Sequence, residues 1–96
     1  MSESVASIIR SQLYALDPMA MGAWGAKDLV NMGDGLKFKT SGMCRWKGYV
    51  YIKYDRGQDL YNVVFGKIRK AEWIEVARQD GVYFDQLIQV IDAQVG

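Results

Sequence analysis

Histidine is absent from the 96-residue chain, and cysteine and proline each occur once. Without histidine there is no Ser-His-Asp or Cys-His pair, and no side chain has an unperturbed pKa near neutrality. The single Cys44 excludes an intramolecular disulfide and, with no histidine, a zinc cage. Gly22, Gly25 and Gly33 lack the spacing of a nucleotide-binding loop. The sequence therefore predicts a protein that is not an enzyme and that holds no metal and no cofactor.

Long hydrophobic runs are missing as well. No apolar run approaches the roughly 18 residues of a membrane helix, and the first residues lack the basic and apolar parts of a signal peptide. We therefore expect a cytoplasmic protein with no membrane partner. Half of the residues are hydrophobic and 24% are charged, which is typical of an ordinary globular chain. We expect a single domain over residues 1–96, because this length suits one hydrophobic core.

Helical periodicity marks the two ends of the chain. Apolar residues at helical spacing predict a first helix over about 3–15, ended by Asp17-Pro18. A last helix over 82–95 is predicted from Phe84, Leu87, Ile88, Ile91 and Val95, following a turn at Asp80-Gly81. The glycine-broken stretch 19–26 is predicted to be a short strand or an irregular packed segment.

Between these helices the pattern is typical of antiparallel strands. Asp34-Gly35 predicts a turn, residues 36–40 and 47–54 alternate with period two, and 55–59 predicts a hairpin loop with Gly57 in the left-handed conformation. Residues 60–68 predict a third strand and 71–77 a further one, with Val50, Ile52, Val64 and Ile68 facing the core. The sequence thus predicts an α+β fold, in which an antiparallel meander of three to five strands packs with an N-terminal and a C-terminal helix.

The net charge of +1 conceals an uneven distribution. Residues 27–70 contain ten basic and four acidic residues, whereas the rest of the chain contains two basic and seven acidic ones. This layout marks a candidate basic binding surface on the sheet, with tyrosines among the cations. Its candidate residues are Lys37, Lys39, Arg45, Lys47, Tyr49, Tyr51, Lys53, Lys67 and Arg69. In the alternative interpretation, these residues are only the solvated face of a two-layer sheet.

Other groups have structural interpretations. Asp55 and Asp59 lie in a predicted hairpin loop and are expected to stabilise a turn rather than to act as an acid–base pair. Glu72 and Glu75 fall on opposite faces of any strand. Two of the three tryptophans, Trp24, Trp46 and Trp73, are expected in the core, since large aromatics usually fill it. Cys44 is expected to be a loop thiol, and the sequence assigns no role to it or to 19–26.

Two segments are distinctive, Val64-Phe-Gly-Lys-Ile-Arg69 and Gly81-Val-Tyr-Phe-Asp-Gln-Leu87. With Tyr49-Val-Tyr-Ile-Lys53 and the helix around 7–13, they resemble a family of small uncharacterised proteins encoded by bacteriophages and prophages. The similarity extends over about residues 7–91. The resemblance implies a phage setting, and it implies no activity, cofactor or catalytic residue.

In that setting we expect a small accessory protein that acts by binding a host or phage protein, for example by inhibiting a host or defence protein. A rigid basic sheet with aromatic and arginine side chains is suited to such binding. The alternative is a single-stranded nucleic-acid-binding protein that uses the basic, tyrosine-containing sheet face.

Overall fold

A computed structural model describes residues 4–40, 46 and 48–95. The elements follow in the order α1 (Val5–Leu16), α2 (Ala20–Trp24), β1 (Ala26–Asn31), β2 (Gly35–Thr40), β3 (Tyr49–Asp55), β4 (Leu60–Arg69), β5 (Glu72–Val82), a 3₁₀ turn (Phe84–Gln86) and α3 (Leu87–Val95). The five strands form one antiparallel sheet in the order β1-β2-β3-β4-β5. The predicted α+β meander with a helix at each end is therefore confirmed.

Helix α1 begins and ends where the sequence predicts, within two residues. The Ser4 hydroxyl accepts a hydrogen bond from the amide of Ser7 at 3.1 Å, which satisfies one of the free amides of the first turn. Ala6, Ile9 and Leu13 form its buried stripe. Asp17 is extended, with φ −154° and ψ 98°, because the following Pro18 disfavours helical geometry there.

The prediction for 19–26 is wrong. Ala20–Trp24 forms a short helix that Gly25 ends with a φ of 64°, and β1 begins directly afterwards. Five residues are too few for an independently stable helix, so tertiary contacts must hold this one. Trp24 supplies them: its ring stacks on Phe38 at 6.2 Å, and its indole N–H donates to Asp92 of α3 at 3.2 Å.

Strand β4 faces the core with the opposite set of residues from the predicted one. Tyr61, Val63 and Phe65 are buried, whereas Val64 is half-buried and Ile68 is half exposed. The register explains this, because Val50 pairs with Phe65 and Ile52 with Val63, so these four share a face. Apolar residues occupy both faces of β4, and alternation alone therefore did not distinguish them.

The last third of the chain also differs from the prediction. Asp80-Gly81 is not a turn: β5 continues to Val82, and Gly81 adopts a φ of 67° at a register shift, where its amide donates to the Asn62 side chain. The helical region starts at Phe84 rather than at 82, and Phe84 is exposed instead of buried. Leu87, Ile91 and Val95 are buried as predicted, and Ile88 is half-buried.

The turns confirm the predicted hairpins but not their left-handed residues. Between β1 and β2 the positive φ, 85°, belongs to Gly33 rather than to Asp34 or Gly35. In the β3–β4 hairpin the residue with positive φ is Asp59, at 54°, and not Gly57. Aspartate adopts this conformation more readily than most residues with a Cβ, so the glycine of a turn was not the only candidate.

The core lies between the helices and one face of the sheet. Ile9, Leu13, Leu87, Ile91 and Val95 of the helices belong to one cluster with the buried residues of β2, β3 and β4. Polar contacts tie the layers together, since Tyr61 donates to Gln12 of α1 at 2.8 Å and the Trp46 amide donates to the Val95 carbonyl at 3.0 Å. The helices therefore cover one face of the sheet and leave the opposite face, here called the outer face, to the strands' alternate residues.

Candidate functional site on the outer face and the hairpin arm

Five of the predicted site residues lie together on the outer face. Lys37 pairs with Tyr51 and Lys39 with Tyr49 across β2 and β3, and Lys53 follows on β3. Their strand neighbours Leu36, Phe38, Val50 and Ile52 are buried, and side chains alternate along a strand, so the five project away from the helices. The expected juxtaposition of lysines and tyrosines is present.

Lysine and aromatic groups make a compact cluster here. The Lys37 ammonium lies 5.6 Å from the ring centre of Tyr49 and 5.8 Å from that of Trp73, and the Lys39 ammonium lies 5.9 Å from Tyr49. The rings of Tyr49 and Trp73 are 6.1 Å apart. Neither lysine forms an ion pair with a carboxylate within residues 4–40, 46 and 48–95. Both lysines are half-buried and contact neutral ring faces, which leave their positive charges uncompensated and able to attract an acidic ligand.

Sequence reasoning did not include Trp73 in this site. Its indole lies across Gly66 of β4: a Cβ on Gly66 would stand 2.4 Å from the indole Cζ2. Only glycine permits this approach, which brings the ring from β5 to Tyr49 of β3. A glycine inside an otherwise apolar strand, with a tryptophan on the next strand, was the available signal.

Lys53 is less available than the other two lysines. Its ammonium lies 3.7 Å from an Asp34 oxygen, and the Tyr51 hydroxyl donates to the same carboxylate. Partial burial, together with this hydrogen bond and the negative charge of Asp34, raises the pKa of Tyr51 to about 12. Tyr51 is therefore neutral at physiological pH, and Asp34 offsets much of the charge of Lys53.

The other four candidates are not joined to this cluster. Lys67 follows Phe65 by two positions, so it projects to the helix side, where its ammonium lies 5.8 Å from the ring centre of Trp46. Arg69 has the same parity and pairs with Glu72 across the β4–β5 turn. Arg45 and Lys47 lie outside the described residues, as does Cys44.

Beyond Gly66 the β4–β5 hairpin extends past strand β3, because 67–69 pair only with β5 in the described part of the chain. We call this extension, residues 67–74, the hairpin arm. Ile68, Trp73 and Ile74 of the arm are each between 40% and 50% exposed. Ile68 pairs with Trp73 and Lys67 with Ile74, and adjacent pairs project to opposite sides, so both sides carry apolar groups. Exposed apolar side chains grouped in this way mark an interaction surface.

The remaining candidates have structural roles. Asp55 accepts a hydrogen bond from the Gly57 amide at 3.0 Å, which confirms its expected function in the turn. Glu75 lies 3.7 Å from Arg78. Trp24 is buried and Trp46 is half-buried against the core, as expected for two of the three tryptophans. Within the described ranges, no three metal-ligating side chains of the histidine, cysteine or carboxylate type come together.

The comparisons with known proteins assign no family to this chain. None of the helices in the described segments is long and apolar enough to cross a membrane. No family model matches the chain, and no curated protein and no solved structure is significantly similar to it.

Proposed function

We propose that this protein is a small phage accessory protein that acts by binding a host or phage protein through its hairpin arm and the adjoining outer face. The proposal rests on the exposed apolar side chains of the arm. Its apolar side chains project from a part of the sheet that has no layer packed over it in the described chain. A two-stranded hairpin is only marginally stable without such a layer, and a partner surface would supply it.

The chemistry of the partner follows from the residues beside the arm. Trp73 belongs both to the arm and to the cluster of Lys37, Lys39 and Tyr49. Tryptophan, tyrosine and a cation around an apolar centre are the residues that contribute most at protein interfaces. We therefore expect a partner surface with an apolar centre that contacts the arm and acidic side chains that face the two lysines.

A second candidate is single-stranded nucleic-acid binding, favoured by the same cluster. The neighbouring rings of Tyr49 and Trp73, 6.1 Å apart, could each stack on a base while Lys37 and Lys39 neutralise phosphates. This function would use the outer face but would not need Ile74, which projects to the other side of the arm.

A capture experiment with matched variants tests the proposal. The tagged protein is incubated with host lysate, with and without nuclease, beside the variant I68T/I74T. Threonine keeps the β-branched shape and removes the apolar surface. The control is L29T/M32T, which removes apolar groups of similar exposure at the other end of the sheet. A partner retained by the wild type and the control, but lost by the arm variant, supports the proposal. Equal retention by the arm variant contradicts it.

The salt dependence of binding distinguishes nucleic-acid binding from protein binding. Binding of a labelled oligonucleotide would weaken steeply and linearly in log affinity against log salt, and I74T would leave it unchanged. Binding to a protein partner would depend less on salt and would weaken in I74T.

A further inference from the structure

A second unassigned site lies at the opposite end of β4 from the arm. A cleft of about 420 Å³ opens between the β3–β4 hairpin, helix α1 and the end of β5. We call it the aromatic cleft. Four aromatic residues and one carboxylate characterise its lining: Tyr54, Tyr61, Tyr83, Phe84 and Asp59.

Two walls of the aromatic cleft are held in place by hydrogen bonds. The rings of Tyr54 and Tyr61 have centres 5.5 Å apart and an interplanar angle of 52°. The Tyr61 hydroxyl donates to Gln12 of α1, and the Tyr54 hydroxyl donates to Asp59. Both rings are therefore anchored at their polar ends, which fixes their inclination.

The other two rings are exposed, although the Tyr83 backbone caps the 3₁₀ turn through hydrogen bonds with Gln86. Tyr83 and Phe84 are 59% and 54% exposed, although they directly follow the buried Val82. Aromatic side chains usually bury most of their surface in a core or an interface. Two adjacent exposed rings at the mouth of a cleft therefore point to a ligand that contacts them.

The electrostatics of the aromatic cleft select for positive charge. Asp59 is its one charged lining residue, and no Lys or Arg is among the residues that line it. Asp59 forms no ion pair in the described part of the chain. Arg56 of the same hairpin does not line the cleft; its positive charge acts on Tyr54, but less strongly than the negative charge of Asp59. Its hydrogen bond to Asp59 raises the pKa of Tyr54, and burial raises that of Tyr61, so both rings stay neutral.

We propose that the aromatic cleft binds a quaternary ammonium group. The negative faces of inclined aromatic rings attract such a cation, its methyl groups need no hydrogen-bond acceptor, and a nearby carboxylate adds attraction without requiring direct contact. A neutral group of the same shape would gain only the apolar contact. The site is independent of the hairpin arm, and either proposal can fail without the other.

The decisive comparison uses the wild-type protein with choline and its uncharged carbon analogue, 3,3-dimethyl-1-butanol. Each is titrated into labelled protein and followed by amide NMR shifts. We expect saturable shifts around Gln58, Leu60 and Phe84 with choline, and binding at least about tenfold weaker with the neutral analogue. Equal binding of the two compounds, or choline shifts located elsewhere, would overturn the proposal.

Matched variants identify the groups responsible. Phe84→Leu should weaken choline binding about tenfold, whereas Tyr14→Leu, which removes an exposed aromatic outside the cleft, should not change it. Asp59→Asn should also weaken binding, and asparagine tolerates the positive φ at this position. Asp55→Asn is the control, because it removes the same charge from the same hairpin. Thermal unfolding of each variant verifies that the fold is retained.

Two sources of the ammonium group are separated by a further titration. A peptide with trimethyllysine is compared with the unmethylated peptide and with choline. If the methylated peptide binds more tightly than choline, the source of the ammonium group is a modified protein. If the methylated peptide and choline bind equally, the source is a choline-type small molecule or headgroup.

Discussion

Strand β4 joins two ends of the molecule that have opposite chemistry. At its beginning, the aromatic cleft carries the carboxylate of Asp59 and four rings. At its other end, the hairpin arm carries three cations, Lys67, Arg69 and Lys70, against one carboxylate, Glu72, together with exposed apolar side chains. The net charge of +1 is thus a cancellation between separate surfaces, and local charge decides what each surface attracts.

The two ends also differ in how they are supported. The aromatic cleft rests on helix α1 through Gln12, whereas the arm extends beyond strand β3. A segment with few buried contacts opens more readily than one packed on the core. We therefore expect changes in the arm to leave the cleft intact, while changes in the shared core affect both.

The largest effect is expected from the shared core. Leu87 is completely buried in the cluster beneath the sheet, so Leu87→Ala should lower the free energy of unfolding by about 2–5 kcal/mol. The same substitution at Ile88, its half-buried neighbour, should lower the free energy of unfolding clearly less. Chemical denaturation measures both. Equal losses of unfolding free energy for the two variants would show that α3 is packed differently. If Leu87→Ala disrupted only the aromatic cleft or only the hairpin arm, the two ends of β4 would not share this core.

A smaller effect is expected from Gly66→Ala. The added Cβ would stand 2.4 Å from the Trp73 indole, which must then leave its place beside Tyr49. We expect a loss of about 1–2 kcal/mol and a red shift of tryptophan emission, with choline binding unchanged. Gly22→Ala is the control, because no atom lies within 4 Å of its added Cβ. Unaltered emission for Gly66→Ala would refute the placement of Trp73.

Reversing charge on the outer face should slow association. Lys37 and Lys39 have no carboxylate partner in the described chain, so K37E/K39E should reduce the association rate for the captured partner by about tenfold. The control is Lys53→Gln, since Asp34 already offsets the charge of Lys53. Surface plasmon resonance at two salt concentrations measures the rates. If the folded double variant associates at an unchanged rate, these lysines are only part of a solvated face and do not contribute to binding.

A substitution at the tip of the arm should increase the stability of the protein. Lys70 and Ala71 have φ values of 52° and 64° between the paired Arg69 and Glu72, as in a type I′ turn, which favours Asn-Gly. Ala71→Gly removes the penalty for a left-handed alanine and should stabilise by about 1 kcal/mol. The same substitution at Ala15, in helix α1, should destabilise by about 0.5–1 kcal/mol. Thermal unfolding compares them, and destabilisation by Ala71→Gly would contradict the described turn.

The smallest effect is the alkaline titration of Tyr51. Partial burial, and then the hydrogen bond and charge of Asp34, raise its pKa from the ordinary value of 10 to about 12 in the folded protein. The preference of the folded state for the neutral phenol is therefore fully present below about pH 10 and is lost as the pH rises through about 12. The pKa values of Tyr54 and Tyr61 are raised as well, so ultraviolet titration should show several late tyrosines, of which the component near pH 12 is missing in Tyr51→Phe. Asp34→Asn should move that pKa downward. A titration identical to that of the wild type would exclude the hydrogen bond as a cause.

Local patterns predicted the elements whose signals were unambiguous. Ser4, the stripe of Ile9 and Leu13, and Asp17-Pro18 define α1 because capping and proline geometry act within one turn. Strand β1 was not predicted as a strand, since five of its six residues are exposed and no apolar alternation marks it. The lysines and tyrosines on the outer face of β2 and β3, which are half-buried except for the exposed Lys53, were predicted together because alternate residues of paired strands share a face.

The sequence by itself determined the fold class and the outward position of Lys37, Lys39 and Tyr49, because each depends on residue type and short-range spacing. Tertiary structure alone decided which face of β4 is buried and where Trp73 lies. It also decided that Phe84 and Tyr83 meet Tyr54 across a cleft. These outcomes depend on register between strands and on space left by distant residues, neither of which has a local signature.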